Sequence, residues 1–250
     1  MEKNEIVELA CRAGKIMLEN GGEIYRVEQT MSAVCAAYGI HQCESFATPT
    51  VIMLSTTVDA ETHCRMLRIA ERGINLGKVA DVNNFSRHVP FDGAGEALDR
   101  IEKCTANPLW VRILASAVGV GAFGVIFGGT IGDIIGGFIL GALARWLVAT
   151  LQKKRVGDFM VNLVGGATAA LGGWLISQIG LGSDPWVITV ATMMLLVPGL
   201  LFTNALRDIA AGDLVSGGTR SLEALSVAGA LACGTAAVYA ILALLGGTLS

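Results

Sequence analysis

The chain has 250 residues, 53% hydrophobic and 16% charged, with a formal net charge of −3 and a mean hydropathy of +0.60. That balance excludes an ordinary water-soluble protein, a disordered chain, a collagen-like repeat and a disulfide scaffold. With 18 basic against 21 acidic residues there is no basic field for nucleic acid.

The charge is distributed unevenly. Residues 1–105 hold 26 of the 39 charged side chains and a net −4, whereas the remaining 145 residues carry +1 and 24 of the 32 glycines. Such a division implies two solvents. The expected architecture is an α+β cytoplasmic domain over residues 1–106, followed by an all-α bundle of five transmembrane helices over residues 107–250. Glu2, Lys3, Glu5, Glu8, Arg12, Lys15 and Glu19 leave no room for an apolar signal-peptide core, so the N-terminal half is expected in the cytoplasm.

Taken in chain order, Ile6, Leu9, Ala13, Ile16 and Met17 form one stripe of a helix over residues 5–19, which Asn20, Gly21 and Gly22 should stop. A second helix, from about Glu23 to Tyr38, carries Ile24, Val27, Met31, Val34 and Tyr38 at three-and-four spacing and ends at Gly39. The period then shortens. Segments 42–47, 50–58 and 63–69 are rich in β-formers and separated by Thr48-Pro49 and Asp59-Ala60-Glu61, which predicts a small antiparallel sheet. Two further helices are expected near Asn75–Arg87 and Gly93–Lys103, with Asn107-Pro108 as the joint to the apolar half.

Cys11, Cys35, Cys43, Cys64 and Cys104 lie in the charged half and Cys233 in an apolar run, with no CxxC. They read as reduced, mostly packed thiols rather than metal ligands, and no cofactor is implied. Ser55 with His41, His63 or His88 and Asp59 or Asp81 could compose a hydrolytic triad on paper. No Gly-x-Ser-x-Gly, His-Glu-x-x-His or Gly-x-x-x-x-Gly-Lys supports it. Glu23, Arg26, Glu28, Arg65 and Arg68 read most simply as solvated or domain-to-membrane ion pairs.

Beyond Asn107, uninterrupted stretches without Asp, Glu, Lys or Arg run over 113–132, 159–183, 185–206 and 224–250, and 131–151 is flawed only by Asp133 and Arg145. A bilayer crossing needs about 20 helical residues, so spans are expected near 109–129, 131–151, 159–181, 186–206 and 223–245. Lys153, Lys154, Arg155, Arg207 and Arg220 fall on one side, and the turns near Gly129 and Asp184 and the tail after Leu245 have no basic residue. The positive-inside rule then places the N-terminus in the cytoplasm and the C-terminus outside it, as five crossings require.

Gly124, Gly128, Gly132 and Gly136 recur every fourth residue, and Gly137 and Gly141 repeat the spacing. They are expected to pack helices closely. Pro198-Gly199 should break the fourth span, because proline cannot donate to the Met194 carbonyl. Broken helices in transporters offer backbone dipoles to ions or polar substrates, although a packed proline kink explains the pair as well. Asn204, Arg207 and Asp208 follow at helical spacing, then Asp213 and Arg220. Arg207 could grip a carboxylate with two hydrogen bonds, Asn204 could assist, and Asp208 or Asp213 could take up a proton. An interfacial ion-pair cluster is the competing reading. Asn162 and Asp133 are weaker pathway candidates.

Gly21-Gly22 with Glu23, Arg26 and Glu28, then Thr48-Pro49-Thr50, Arg65 and Ser86, and in the apolar half Val197-Pro198-Gly199, Asn204, Arg207-Asp208, Gly212-Asp213, Ser216-Gly217 and Arg220 together resemble the threonine/serine exporter family, specifically its N-terminal half. The resemblance implies a secondary exporter in the bacterial plasma (inner) membrane, driven by the proton-motive force and moving small polar carboxylates outward. It also implies the split form, in which a separate small membrane protein supplies a second transmembrane bundle, and with it dicarboxylates such as succinate as substrates beside threonine and serine. A higher oligomer is left open, as are two other readings: a membrane-tethered hydrolase, and a regulatory or structural subunit whose partner owns the pathway.

Overall fold

The computed structural model describes residues 2–58, 61–105 and 107–245; the expected Asp59-Ala60 turn and the tail beyond Leu245 fall outside them. Among the described residues the chain is mostly helical, with one three-stranded sheet. The order is α1 (Lys3–Glu19), α2 (Ile24–Ala37), β1 (Cys43–Thr48), β2 (Val51–Val58), β3 (Glu61–Arg68), α3 (Leu76–Arg87), α4 (Ala94–Lys103), α5 (Leu109–Ile126), α6 (Ile131–Lys153), α7 (Asp158–Gln178), α8 (Pro185–Met194), α9 (Gly199–Ala210) and α10 (Leu214–Leu244).

These elements form two compact units, and the division is not sequential. One unit comprises Met1–Ala106 with Leu200–Ser221, the other Asn107–Gly199 with Leu222–Ser250. Most of α9 and the first two turns of α10 thus belong with the charged half.

In the first unit α1 and α2 bury the stripes their spacing predicts: Ile6, Leu9, Ala13, Ile16 and Met17 on one, Ile24, Val27, Met31 and Val34 on the other. The helices approach so closely that a Cβ on Gly14 would meet Met31 Cγ at 2.7 Å. Between them the chain turns at Gly21, whose φ of +95° suits glycine, and the Gly22 N–H closes the turn on the Met17 carbonyl at 2.9 Å. The strands form an antiparallel meander in the order β1-β2-β3. Ala47, Ile52 and Leu54 face the core. β1 extends to Thr48 and β3 begins at Glu61, beyond the predicted bounds, because pairing continues to the last residues beside each turn: Thr48 opposes Val51, and Val58 opposes Glu61. Ser55 pairs with Cys64 and Thr56 with His63, so Ser55 and His63 lie on opposite faces of the sheet and do not converge as a triad would.

The second unit is helical. α5, α6, α7 and α10 are each long and apolar enough to cross a membrane, and α8 with α9, bent at the break between them, pass that test as a pair and make a fifth candidate. α10 starts at Leu214, earlier than the predicted residue 223, and its 31 residues would extend over about 46 Å at 1.5 Å per residue. The glycines divide by role. Gly124 and Gly121 lie on Ile134 of α6, Gly137 and Gly141 lie on Val120 of α5, Gly136 meets Ile176, and Gly132 abuts the Leu181 carbonyl. Gly128 differs from expectation: it follows the end of α5 with φ +75°, and a Cβ there would meet nothing within 4 Å. It makes the turn and packs no helix. Comparably tight contacts fall outside that ladder, where Gly166 and Gly234 bring α7 and α10 together with each glycine against a backbone carbonyl of the other helix, Leu231 and Leu163 respectively.

All six cysteines are free thiols; Cys11 and Cys35 are buried, but Cys64, Cys104 and Cys233 are exposed, which corrects the expectation that most are packed. Burial pushes the Cys11 thiol up to about 12, so it is inert at neutral pH.

Candidate functional site

The break between α8 and α9 leads into the site. α8 starts with Asp184, whose side chain accepts from Trp186 N, and Pro185 at its first position. It ends at Met194, after which Leu196 N and Val197 N both reach back to the Met193 carbonyl, at 2.8 and 3.0 Å. Pro198 has no N–H to continue the ladder, and regular helix resumes at Gly199. α9 and the start of α10 then form a tight hairpin. Gly212, at φ +94°, makes the turn, and a Cβ on Gly217 would meet the Ala205 carbonyl at 2.9 Å, so the two helices touch backbone to backbone.

That hairpin brings Asp208 of α9 and Arg220 of α10 together as an ion pair at 3.1 Å, with side chains 0% and 5% exposed. Asn204 and Asp208, four apart, face inward and are buried, while Arg207 sits on the rim with 59% of its side chain exposed. All of this converges on the α1–α2 turn. Asn204 Nδ2 donates to the Gly21 carbonyl at 3.2 Å, Arg220 Nη2 donates to the Gly22 carbonyl at 2.9 Å, and Arg207 Nη1 pairs with Glu23 Oε1. The other oxygen of Glu23 holds Arg26 Nε at 3.1 Å. Glycine suits both positions for reasons within the turn itself: Gly21 lies at φ +95°, and at Gly22 a Cβ would strike Met17 Cγ at 2.5 Å.

Nearby, Asp213 N donates to the Asp208 carbonyl at 2.9 Å and the Asp213 carbonyl accepts from Gly217 N at 2.9 Å. Glu28, two residues along α2 from Arg26, accepts the Ala47 N–H at 2.8 Å. Its burial raises its pKa, and the charge of Asp213 adds to that direction.

The structure brings Asn204, Arg207, Asp208, Asp213 and Arg220 together, while the other two polar candidates belong to the other unit. Asn162 spends its amide on the Asp158 carbonyl of its own helix, at 2.8 Å. Asp133 is a loop staple: one oxygen accepts Thr130 N and Oγ1 at 2.8 and 2.7 Å, and the other accepts Ser183 N and Asp184 N at 2.7 and 3.0 Å. Glu23 was expected to form an ion pair; what sequence reasoning missed is that one of its cations is Arg207 and that the Gly21 and Gly22 carbonyls accept beside it. Gly21-Gly22 carried a helix-stop signal that masked their second use as acceptors.

Four helices long and apolar enough to cross a membrane, and a bent pair that could make a fifth, are features of a multi-pass membrane protein. The chain belongs to the threonine/serine exporter family, whose model, described as "Putative threonine/serine exporter", matches residues 8–242. It is 26% identical over 242 residues to the "Threonine/serine exporter" of Corynebacterium glutamicum, covering 92% of this chain and 50% of that protein. It is 24% identical over 250 residues to the "Probable threonine/serine exporter" of Mycobacterium tuberculosis, covering 94% and 46%. The chain thus spans about half the length of these exporters. With the "Probable succinate transporter subunit YjjP" of Escherichia coli strain K12 it shares 22% identity over 223 residues, 86% of each chain. No solved structure matches it.

Proposed function

We propose that this chain is the N-terminal half of a secondary exporter that moves small polar carboxylates out of the cytoplasm, driven by the proton-motive force. In this reading residues 1–106 are a cytoplasmic domain, and five spans lie in the bacterial plasma membrane with the start of α5 inside and the end of α10 outside. The basic residues Lys153, Lys154, Arg155, Arg207 and Arg220 support that orientation. The large exposed apolar side chains of α5 and α6, Ile126 and Ile131 among them, suit lipid. A second transmembrane bundle completes the pathway. The near-full-length similarity to a protein named a transporter subunit supports a separate small membrane protein as its source.

One observation carries the reading: on a broken helix, Arg207 holds a carboxylate, that of Glu23, while more than half of its own side chain remains open. A guanidinium that donates one hydrogen bond to a carboxylate keeps further N–H donors for another. Efflux of labelled threonine, serine and succinate from preloaded cells tests it. Deleting the gene, with any partner left in place, should abolish efflux of at least one of the three. Arg207→Gln should do the same while the protein still inserts in the membrane. Unchanged efflux of all three in the deletion strain rejects the function, and normal flux through the Arg207 variant rejects the site.

A further inference from the structure

Resting on the exporter reading, we infer that the Glu23–Arg207 pair selects zwitterionic amino acids over dicarboxylates, the substrate's carboxylate taking the Arg207 guanidinium and its ammonium taking the Glu23 carboxylate. The two side chains differ in shelter. Glu23 is 12% exposed and Arg207 59%, so the pair is open at the cationic end and protected at the anionic end. An ion pair with one exposed member is weak and readily opened. An amino acid entering between them replaces one carboxylate–guanidinium contact by a carboxylate–guanidinium contact at one end of the molecule and a carboxylate–ammonium contact at the other, and leaves neither protein charge uncompensated.

The neighbouring donors are engaged and do not enlarge the anion site. Asn204 is bound to the Gly21 carbonyl, and Arg220 to Gly22 and Asp208. Arg26 contacts Glu23 at 3.1 Å as well as Tyr25 Oη and Asn83 Oδ1, both at 3.4 Å.

The balance of charge is the second argument. Around this turn the guanidiniums of Arg26, Arg207 and Arg220 stand against the carboxylates of Glu23, Glu28, Asp208 and Asp213, three against four. A zwitterion adds no net charge to that set. A dicarboxylate adds two negative charges to a region already in anionic excess, and its second carboxylate faces Glu23. Like charges so juxtaposed discriminate strongly between ligands. Glu23 is thus a specificity determinant, where the sequence offered it only as an ion-pairing surface residue.

The test uses the full chain in its own host, with the chromosomal copy deleted and wild type, Glu23→Gln or Arg207→Gln supplied. Cells are preloaded with labelled threonine, serine or succinate, and initial efflux is normalised to inserted protein. Wild type should export the amino acids faster than succinate. Glu23→Gln should lower the ratio of amino-acid to succinate efflux roughly tenfold or more, since a site that has lost a charged partner no longer rejects the analogue. Arg207→Gln should lose all three fluxes. A ratio unchanged within about twofold in Glu23→Gln, or a wild type that prefers succinate, overturns the inference and leaves the exporter reading intact. Absence of all three fluxes from wild type overturns the exporter reading itself. Should Glu23→Gln fail to insert, wild type alone decides: 3-hydroxybutyrate, which is threonine without its ammonium group, should leave no faster than from the deletion strain. Export at the threonine rate overturns the inference.

Discussion

The contact between α7 and α10 and the contact between the α1–α2 turn and the α9–α10 hairpin are both made by glycines, yet they work in opposite ways. At Gly166 and Gly234 the glycines are there for what they lack, each pressed on a carbonyl of the facing helix, with Thr235 Oγ1 donating to the Gly166 carbonyl at 3.2 Å. At Gly21 and Gly22 they serve for what they present, two carbonyls taken by Asn204 and Arg220. The first contact is fixed by shape and the second by charge and hydrogen bonds. A surface held by shape resists any added atom, whereas a surface held by an exposed ion pair can be opened by a competing ion.

The largest effect is expected where charge is buried. Arg220→Leu leaves Asp208 sealed without its cation and should cost about 3–5 kcal/mol, read as a lower midpoint of thermal unfolding in detergent. The double variant Asp208→Leu with Arg220→Leu should recover much of that loss, because an apolar pair carries no desolvation penalty. Failure to recover would mean that the hairpin is held chiefly by Arg220's bond to Gly22.

Next comes shape. Gly234→Ala should cost about 1–3 kcal/mol by overpacking, while Gly128→Ala, in open space but at φ +75°, should cost only the strain of a left-handed alanine, about 1–2 kcal/mol. If Gly234→Ala were the milder of the two, the account of the α7–α10 contact as shape-limited would break.

Asp133→Ala tests a third arrangement, a buried carboxylate whose partners are N–H and O–H donors rather than a cation. Losing it frees donors at Thr130, Ser183 and Asp184 and should cost about 1–3 kcal/mol, with transport of threonine, serine and succinate per inserted molecule unchanged.

The smallest effect belongs to an exposed ion pair. Arg12 lies 2.5 Å from Asp99 and 3.0 Å from Glu102, linking α1 to α4. The hydrogen bond from Arg12 holds the Asp99 carboxyl below the usual carboxylate range. A carboxyl lowered in the folded state stabilises it above the unfolded value of about 3.9, and that contribution is lost as pH falls through the lowered midpoint. Titration of Asp99 followed by carboxyl NMR should show a midpoint returned toward about 3.9 in Arg12→Ala, with little change in unfolding temperature at neutral pH.

Much of this was legible in the sequence. The stripes of α1 and α2, the meander of three strands and the apolar helices were each written in residues a few positions apart, where the period of apolar side chains reports which face is buried. The break at Pro198 was equally local, since proline lacks a donor wherever it stands. The hydrogen bonds of Asp133 were not legible, because an acid near a helix start has two uses and two of its donors, Ser183 and Asp184, are 50 and 51 positions away.

By itself, then, the sequence determined where the chain is oily, where its helices stop and which α9 side chains share a face, because those properties depend on neighbours along the chain. The tertiary structure alone decided what those side chains meet. Arg207 and Glu23 are separated by 184 positions, Arg220 and Gly22 by 198, and charge at such separation leaves no periodic trace. Folding made Glu23 and two carbonyls, rather than solvent, the present occupants of the cluster. It also left the guanidinium of Arg207 the one member of that cluster with most of its surface open.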